Sequence, residues 1–546
     1  MKASDVLVRC LEAEGVRWVF AVPGEENIDL LESLRESEVE LVVVRHEQAG
    51  GFMAATVGRL TGVPGVALST LGPGATNLVT AAAYAQLGGL PMVMITGQKP
   101  IHESKQGAFQ ILDVVGMMRP LTHYTHQVIS GSYLPARVRE AFRLAAQERP
   151  GAAHLELPED VLRDDTEARP IAAPERRIPR AAPASLQEAA ELLRKARRPL
   201  VVLGAGANRS RACDQLGHFV EALRIPFIST QMGKGVVDET SPLYVGTAAL
   251  SRDDFVHRAV TEADVILNVG HSVVEKPPFI MKGNGVQVIH LDFRPAQVDP
   301  VYFPQVEVVG DIAESVKWLG GALDPAPDWS FGHLDRIREA SAEHFAGRAD
   351  SDEFPMRPER IVRDMRAVIP GRSIVTLDNG MYKLWFARNF PATERNALLL
   401  DNALASMGAG LPSAMAARMV HPDRPVVTVT GDGGLLMNGQ EVETAVRLGL
   451  DLVIVLLRDD GYGMIRWKQE EMGFPDFGLS FGNPDFVAWA ESYGAHGHRV
   501  EDAGAFGPLL ERVLGEPGVH LVDVPVTYAH DHHTLNEEIP ALAADL

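Results

Sequence analysis

The amino-acid sequence predicts an α/β protein built of three doubly wound parallel-sheet domains, and three observations carry that prediction. Short β-branched and apolar runs alternate with helix-period patterns along most of the chain, the alternation that builds parallel sheets covered by helices on both faces. Two stretches rich in proline and charge, 166–184 and 323–357, are expected linkers that divide the chain into 1–165, 185–322 and 358–530, with a tail over 531–546. A strand, a glycine turn and a helix occur twice, as VALSTLGPGATNLVTAAAYA and as VVTVTGDGGLLMN, as if two segments shared one ancestral unit.

The length of 546 residues suits three or four domains, each large enough for its own core. No run approaches the roughly 18 apolar residues that span a bilayer. MKASDVLVRCLEAEG starts as an amphipathic helix without the apolar centre of a signal peptide, which predicts a cytoplasmic protein. Cys10 and Cys213 offer neither a disulfide framework nor a metal spacing. A net charge of −21 argues against nucleic acid and anionic membranes as partners. Small anions stay open, because a nest of N–H groups or a metal ion outweighs the global field locally.

In the first segment, strands are expected over 16–22, 41–44, 65–70 and 92–96. Pro23-Gly24 follows the first of them and reads equally well as a plain turn. Arg45-His46-Glu47 stands between the second strand and a helix of small residues. Taken alone, Glu47 is either a functional acid or a carboxylate favoured by the helix dipole, with His46 a structural neighbour. Phe109 and Gln110 lie in SKQGAFQILDV, where a lone phenylalanine is more often core than contact. His123 and His126 read as partly exposed strand residues.

The middle segment opens with the helix SLQEAAELLRKA and a strand leading into Gly204-Ala205-Gly206. A dinucleotide turn would need a third glycine where Arg209 stands, so this signal is weak. Asp292, after the strand VQVIHLD, is taken as structural.

The third segment begins with a helix from 358 and the strand SIVTLDNG, which ends in Asp378-Asn379-Gly380-Met381. Small residues over 401–417 surround Met407 and predict close helix packing on the sheet. Next come a β-branched strand, a Gly-Asp-Gly-Gly turn, an amphipathic helix and a second apolar strand ending in Asp459-Asp460-Gly461. Parallel strands joined by a helix leave both ends on one sheet edge, so Asp432 and Asp459 are expected to face one site. Gly431, Gly433 and Gly434 expose N–H groups at a helix start, which suits a diphosphate. Asp432 suits an anion only with a hard cation between them. Asp432, Asp459 and the carbonyl of Gly461, with two diphosphate oxygens and a water, would complete the octahedron of Mg²⁺. The competing interpretation is a plain turn and a solvated strand end. Beyond it, Met464, Trp467 and Lys468 fall on one helix face that could wall a pocket. The tail, with His530, His532 and His533, is expected to be solvated.

The GDG turn with an acidic strand end 27 residues later resembles the thiamine-diphosphate motif. The whole chain resembles the acetolactate synthase branch of thiamine-diphosphate enzymes, in its FAD-independent, catabolic type. Asp459-Asp460 replaces the usual Asn-Asn ending, and the family's spacing favours Asp459 over Asp460 as the metal ligand. The resemblance implies a pyrimidine-binding domain over 1–165, a central domain over 185–322 and a diphosphate-binding domain over 358–530. It places Glu47 on N1′ of the cofactor's aminopyrimidine, where a carboxyl partner favours the imino tautomer whose nitrogen can deprotonate C2. Pro23, Gly24, Gly380, Met381, Ala405, Gly431, Asp432, Gly433, Gly434, Gly461, Tyr462, Gly463 and Met464 become cofactor contacts. Met407 becomes the apolar wedge that bends the cofactor into a V. Phe109, Gln110, Met464, Trp467 and Lys468 become pocket residues.

The segment typical of flavin-dependent relatives is replaced by NVGHSVVEKPPF (268–279), which implies no FAD. The family builds its sites between subunits, so Glu47 of one subunit would serve the cofactor held by Asp432 of another, in a dimer or tetramer. The implied reaction condenses two pyruvates, as 2-oxo acid donor and acceptor, to 2-acetolactate with release of CO₂. The alternatives are another thiamine-diphosphate 2-oxoacid decarboxylase or aldehyde carboligase or lyase, and a flavin-dependent pyruvate oxidase. A non-enzymatic nucleotide-binding protein would have no use for Glu47 and Met407.

Overall fold

The computed structural model describes residues 1–103, 107–174, 177–249, 253–272, 274–275, 285–325 and 328–546. Two compact units make up the chain. The first comprises Met1–Arg176, Ala403–Asp423 and Leu436–Leu450, and the second Arg177–Asn402, Arg424–Leu435 and Asp451–Leu546.

The first unit holds a parallel sheet of β1 (Trp18–Ala21), β2 (Glu40–Val43), β3 (Gly65–Ser69), β4 (Met92–Gln98), β5 (Tyr124–Gln127) and β6 (Ala152–Pro158). Their order is β2-β1-β3-β4-β6-β5. Strands β3, β4 and β6 are buried along their whole length, as apolar runs covered on both faces must be. The helix Glu47–Thr61 uses small residues for close approach: a Cβ on Gly51 would lie 2.4 Å from Cβ of Ala81, in the helix Val79–Gly88. The helix Gly410–Val420 packs against the same helix, where Thr56 Oγ1 donates to Ser413 Oγ at 3.0 Å.

The second unit holds two further parallel sheets. One contains β7 (Pro199–Leu203), β8 (Phe227–Thr230), β9 (Tyr244–Ala248), β10 (Val265–Val269), β11 (Gln287–Asp292) and β12 (Val306–Val309), in the order β12-β11-β10-β7-β8-β9. That is the strand order of dinucleotide-binding folds. The other contains β13 (Ile374–Leu377), β14 (Leu398–Leu399), β15 (Val426–Gly431), β16 (Leu452–Arg458), β17 (His496–Arg499) and β18 (Val519–Pro525), in the order β14-β13-β15-β16-β18-β17. Counted from its own first strand, this sheet repeats the order of the sheet in the first unit. In both, the direction of winding reverses between the first and third strands, the crevice where open α/β sheets bind ligands.

Three stretches differ from expectation. The 323–357 stretch, expected as a linker, contains the helix Gly332–Ala349, which buries Leu334 and Ile337 under a mostly charged surface. Few apolar residues among many good helix formers hid it. The segment after the GDGG turn is two helices, Asp432–Asn438 and Glu441–Arg447, interrupted at Gly439-Gln440. The tail is docked rather than solvated. Helical structure runs from Asp531 to Ala544 and buries Leu535, Ile539 and Ala543, spaced four apart on one face. Asp531 accepts a 2.8 Å hydrogen bond from the indole Nε1 of Trp385. Among the described residues no helix is long and apolar enough to cross a membrane.

Candidate functional site

The register of β15 against β16 pairs Gly431 with Leu457, so the turns that follow lie side by side, as the sequence predicted. Asp432 is buried; its Oδ1 accepts from Gly433 N at 2.9 Å. Its Oδ2 accepts from Asp460 N and from Asn483 Nδ2, both at 2.8 Å. Asp459 Oδ2 is buried without a hydrogen-bond partner among the described residues, its nearest cation being Arg466 at 3.7 Å. Burial, then the charge of Asp432, pushes the Asp459 carboxyl up to about 7. Burial also raises Asp432. Two neighbouring carboxyls whose charged forms burial disfavours, one with a buried spare oxygen, form a donor set that suits a divalent cation.

Asp460 differs from its neighbour. Its φ is +52°, its carboxylate bonds Asn483 and Arg458, and it is 54 % exposed. Gly463 preserves the room around Asp459, since a Cβ there would lie 2.7 Å from Asp459 Oδ2 and 3.1 Å from the Tyr528 ring. Gly461 is buried and bridges to Ser480.

At the end of β13, Asp378 is buried and accepts from Asn379 N at 2.7 Å and Thr430 Oγ1 at 3.2 Å. A Cβ on Gly434 would come within 2.9 Å of Asp378 Oδ2, so the turn closes on this carboxylate only with glycine there. The phenol oxygen of Tyr382 accepts from Gly431 N at 3.0 Å.

In the first unit, Glu47 is the first residue of its helix and 9 % exposed. Asn77 Nδ2 donates to its Oε2 at 2.9 Å, and no described residue bonds Oε1. Gly74 leaves that oxygen open: a Cβ there would stand 3.2 Å away. His46 Nδ1 caps the helix by accepting from Gln48 N at 3.1 Å, a structural role as expected.

Comparison with known proteins covers all three sheets. Residues 1–117 match the N-terminal TPP binding domain of thiamine pyrophosphate enzymes, 186–319 their central domain and 378–524 their C-terminal TPP binding domain. The chain is 34 % identical over 535 residues to the catabolic acetolactate synthase of Raoultella terrigena, covering 96 % of this chain and 95 % of that protein. It belongs to the acetolactate synthase group of thiamine pyrophosphate enzymes. An acetolactate synthase of Bacillus subtilis (strain 168) is 32 % identical over 99 % of this chain and 95 % of its own length. Acetolactate synthase isozyme 2 large subunit of Escherichia coli (strain K12) is 30 % identical, with 96 % of each chain covered.

Of the positions that this family suggests, Pro23, Gly24, Phe109, Gln110, Ala405 and Met407 lie with Glu47 in the first unit. Gly24 passes so close to Thr70 that a Cβ would overlap it, at 2.2 Å. Phe109 is 59 % exposed, and Gln110 has φ +59° beside the Gly72 turn. Residues 104–106 of that loop lie outside the described residues. Met407 is half-buried after Ala405, whose φ is +56°, and Asn438 Nδ2 anchors the next carbonyl, of Gly408, at 2.7 Å.

In the second unit, Met381 is buried beyond Gly380, and Tyr462 packs edge-on against Phe481. Met464, Trp467 and Lys468 share the helix Gly463–Glu471. Trp467 is buried, and Lys468 stands 4.1 Å over its ring while bonding Glu471.

Sequence reasoning missed Asn77, Asn483, Tyr382 and Lys383. Lys383 is buried, donates to Asn379 Oδ1, the Asp401 carbonyl and Asn402 Oδ1, and is held down to about 8 by burial. The i, i+4 spacing of Asn379 and Lys383 was the available signal; Asn483 had none. In the central sheet, Ala205 N donates to Glu275 Oε1 at 3.0 Å and Thr230 Oγ1 to Glu275 Oε2 at 2.5 Å. Val273 and residues 276–279 of the 268–279 segment lie outside the described residues.

Proposed function

We propose that this chain is a cytoplasmic acetolactate synthase that condenses two pyruvates to 2-acetolactate with release of CO₂, using thiamine diphosphate and Mg²⁺. The observation that carries the cofactor reading is the pairing of buried Asp432, in the GDG turn, with Asp459, whose Oδ2 is buried and spare. Membership of the acetolactate synthase group over nearly the whole chain supports the reaction.

In this reading Asp432, Asp459 and the carbonyl of Gly461 hold Mg²⁺. Gly380, Met381, Gly431, Gly433, Gly434, Tyr462, Gly463 and Met464 border the diphosphate end, and Pro23, Gly24, Ala405 and Met407 the rings. Bound thiamine diphosphate supplies the carbanion chemistry that decarboxylates a 2-oxo acid and joins the remainder to a second one. The protein's part is orientation and proton management. Glu47 shares a proton with N1′ of the pyrimidine through its free Oε1, while Asn77 holds Oε2. Met407 would serve as the apolar wedge against which the bound cofactor is oriented. Phe109, Gln110, Met464, Trp467 and Lys468 line the way to the substrate, with Gln110 offering an amide to its carboxylate. Glu47 of one subunit serves the cofactor of another, so a dimer is the smallest active form.

FAD has no place in this scheme. A peptide N–H of the Gly204-Ala205-Gly206 turn, where a nucleotide phosphate would sit, already binds the chain's own Glu275.

The test is pyruvate turnover by metal-stripped protein, scored as acetoin with and without acid treatment. Acid-dependent acetoin that requires both thiamine diphosphate and Mg²⁺, without added FAD, is expected. Cofactor binding with acetaldehyde as the product would overturn carboligation in favour of a decarboxylase.

A further inference from the structure

Glu441 is buried completely, yet among the described residues no lysine, arginine or histidine forms an ion pair with it. Burial raises its carboxyl above the usual range, against the hydrogen bonds that hold it. Those bonds are specific. Oε1 accepts from Arg45 N at 3.0 Å and His46 N at 3.1 Å, and Oε2 accepts from Thr444 Oγ1 at 2.7 Å. The two peptide N–H groups belong to the residues that carry the chain from β2 into the helix that Glu47 begins. A buried carboxylate is costly to keep, and this one fixes two consecutive peptide planes immediately before Glu47. From the other side, Asn77 fixes one oxygen of the Glu47 side chain and leaves the other free.

We propose that Glu441 and Asn77 are positioning residues for Glu47, Glu441 acting on its main chain and Asn77 on its carboxylate, so that Oε1 is presented in one orientation. The proposal rests on Glu47 being the carboxyl partner of the pyrimidine. Glutamine at 441 has only one accepting end, so either the peptide pair or Thr444 loses its acceptor while the volume stays the same. Serine at 77 is too short to reach Glu47.

The experiment compares Glu441→Gln, Asn77→Ser and Glu47→Gln by three measurements on the loaded enzyme: hydrogen–deuterium exchange at C2 of thiamine diphosphate, cofactor Kd, and unfolding midpoint. Exchange slowed about tenfold to a hundredfold in Glu441→Gln and in Asn77→Ser, with Kd changed less than about threefold, is the expected result, since small misplacement costs that much. A lowered midpoint with unslowed exchange in both, while Glu47→Gln remains slow, overturns the proposal and leaves the role of Glu47 standing. Unslowed exchange in Glu47→Gln overturns that role, and the proposal with it. Should Glu441→Gln fail to fold, Asn77→Ser decides, because Asn77 is only half-buried.

Discussion

The side-chain amide of Asn483 donates to Asp432 and to Asp460 at 2.8 Å each, so one group ties together the turns that follow β15 and β16. Groups that orient a metal-binding carboxylate typically change affinity by about 10- to 100-fold when lost. Asn483→Ala is therefore expected to raise the Mg²⁺ concentration needed for half-maximal activity by about that factor, with little change at saturating Mg²⁺. A Mg²⁺ titration at fixed thiamine diphosphate checks it.

Asp459 and Asp460 are adjacent but not equivalent. Asp459→Ala should abolish Mg²⁺-dependent binding of thiamine diphosphate, as Asp432→Ala should. Asp460→Ala removes a largely exposed carboxylate and should bind nearly as the parent does. Calorimetric titration of the cofactor with and without Mg²⁺ separates the three; loss of binding only in Asp460→Ala would reassign the ligand.

His154 is buried between Thr96 and Thr125, and burial holds its imidazole down to about 3. Its folded-state value lies below its ordinary 6.5, so the unfolded chain takes up a proton that the native protein refuses. Stability linked to this residue is fully present above about 6.5 and falls as pH drops toward 3, by roughly 1.4 kcal/mol per pH unit. His154→Gln should flatten that part of the acid dependence. Urea unfolding of both proteins at pH 7 and pH 5 measures the difference.

The docked tail depends on the bond from Trp385 to Asp531. Asp531→Ala leaves a buried indole N–H without an acceptor and should cost about 1–3 kcal/mol. Asp531→Asn keeps a carbonyl acceptor, and burial already disfavours the charge of Asp531, so it should cost less. Thermal unfolding of the two variants orders them.

How much was legible in the sequence follows from range. Alternating strand and helix patterns announced three parallel sheets, and the parallel crossover alone brought Asp432 and Asp459 to one edge. Asn483 was invisible because it reaches Asp432 from a loop with no periodicity. Glu441 was hidden as one of two glutamates in EVETAVR; only tertiary packing singles it out. The tail misled because its histidines and acids drew attention from Leu535, Ile539 and Ala543, which bury one helical stripe.

Glu275, seated on the Gly204-Ala205-Gly206 turn, changes how the central domain meets its surroundings. A domain that must capture a nucleotide gains stability in proportion to the logarithm of that ligand's concentration. Here the carboxylate that accepts from the turn is tethered to the chain and cannot be diluted. That bond is intramolecular, so its contribution to the domain's integrity draws on no free ligand.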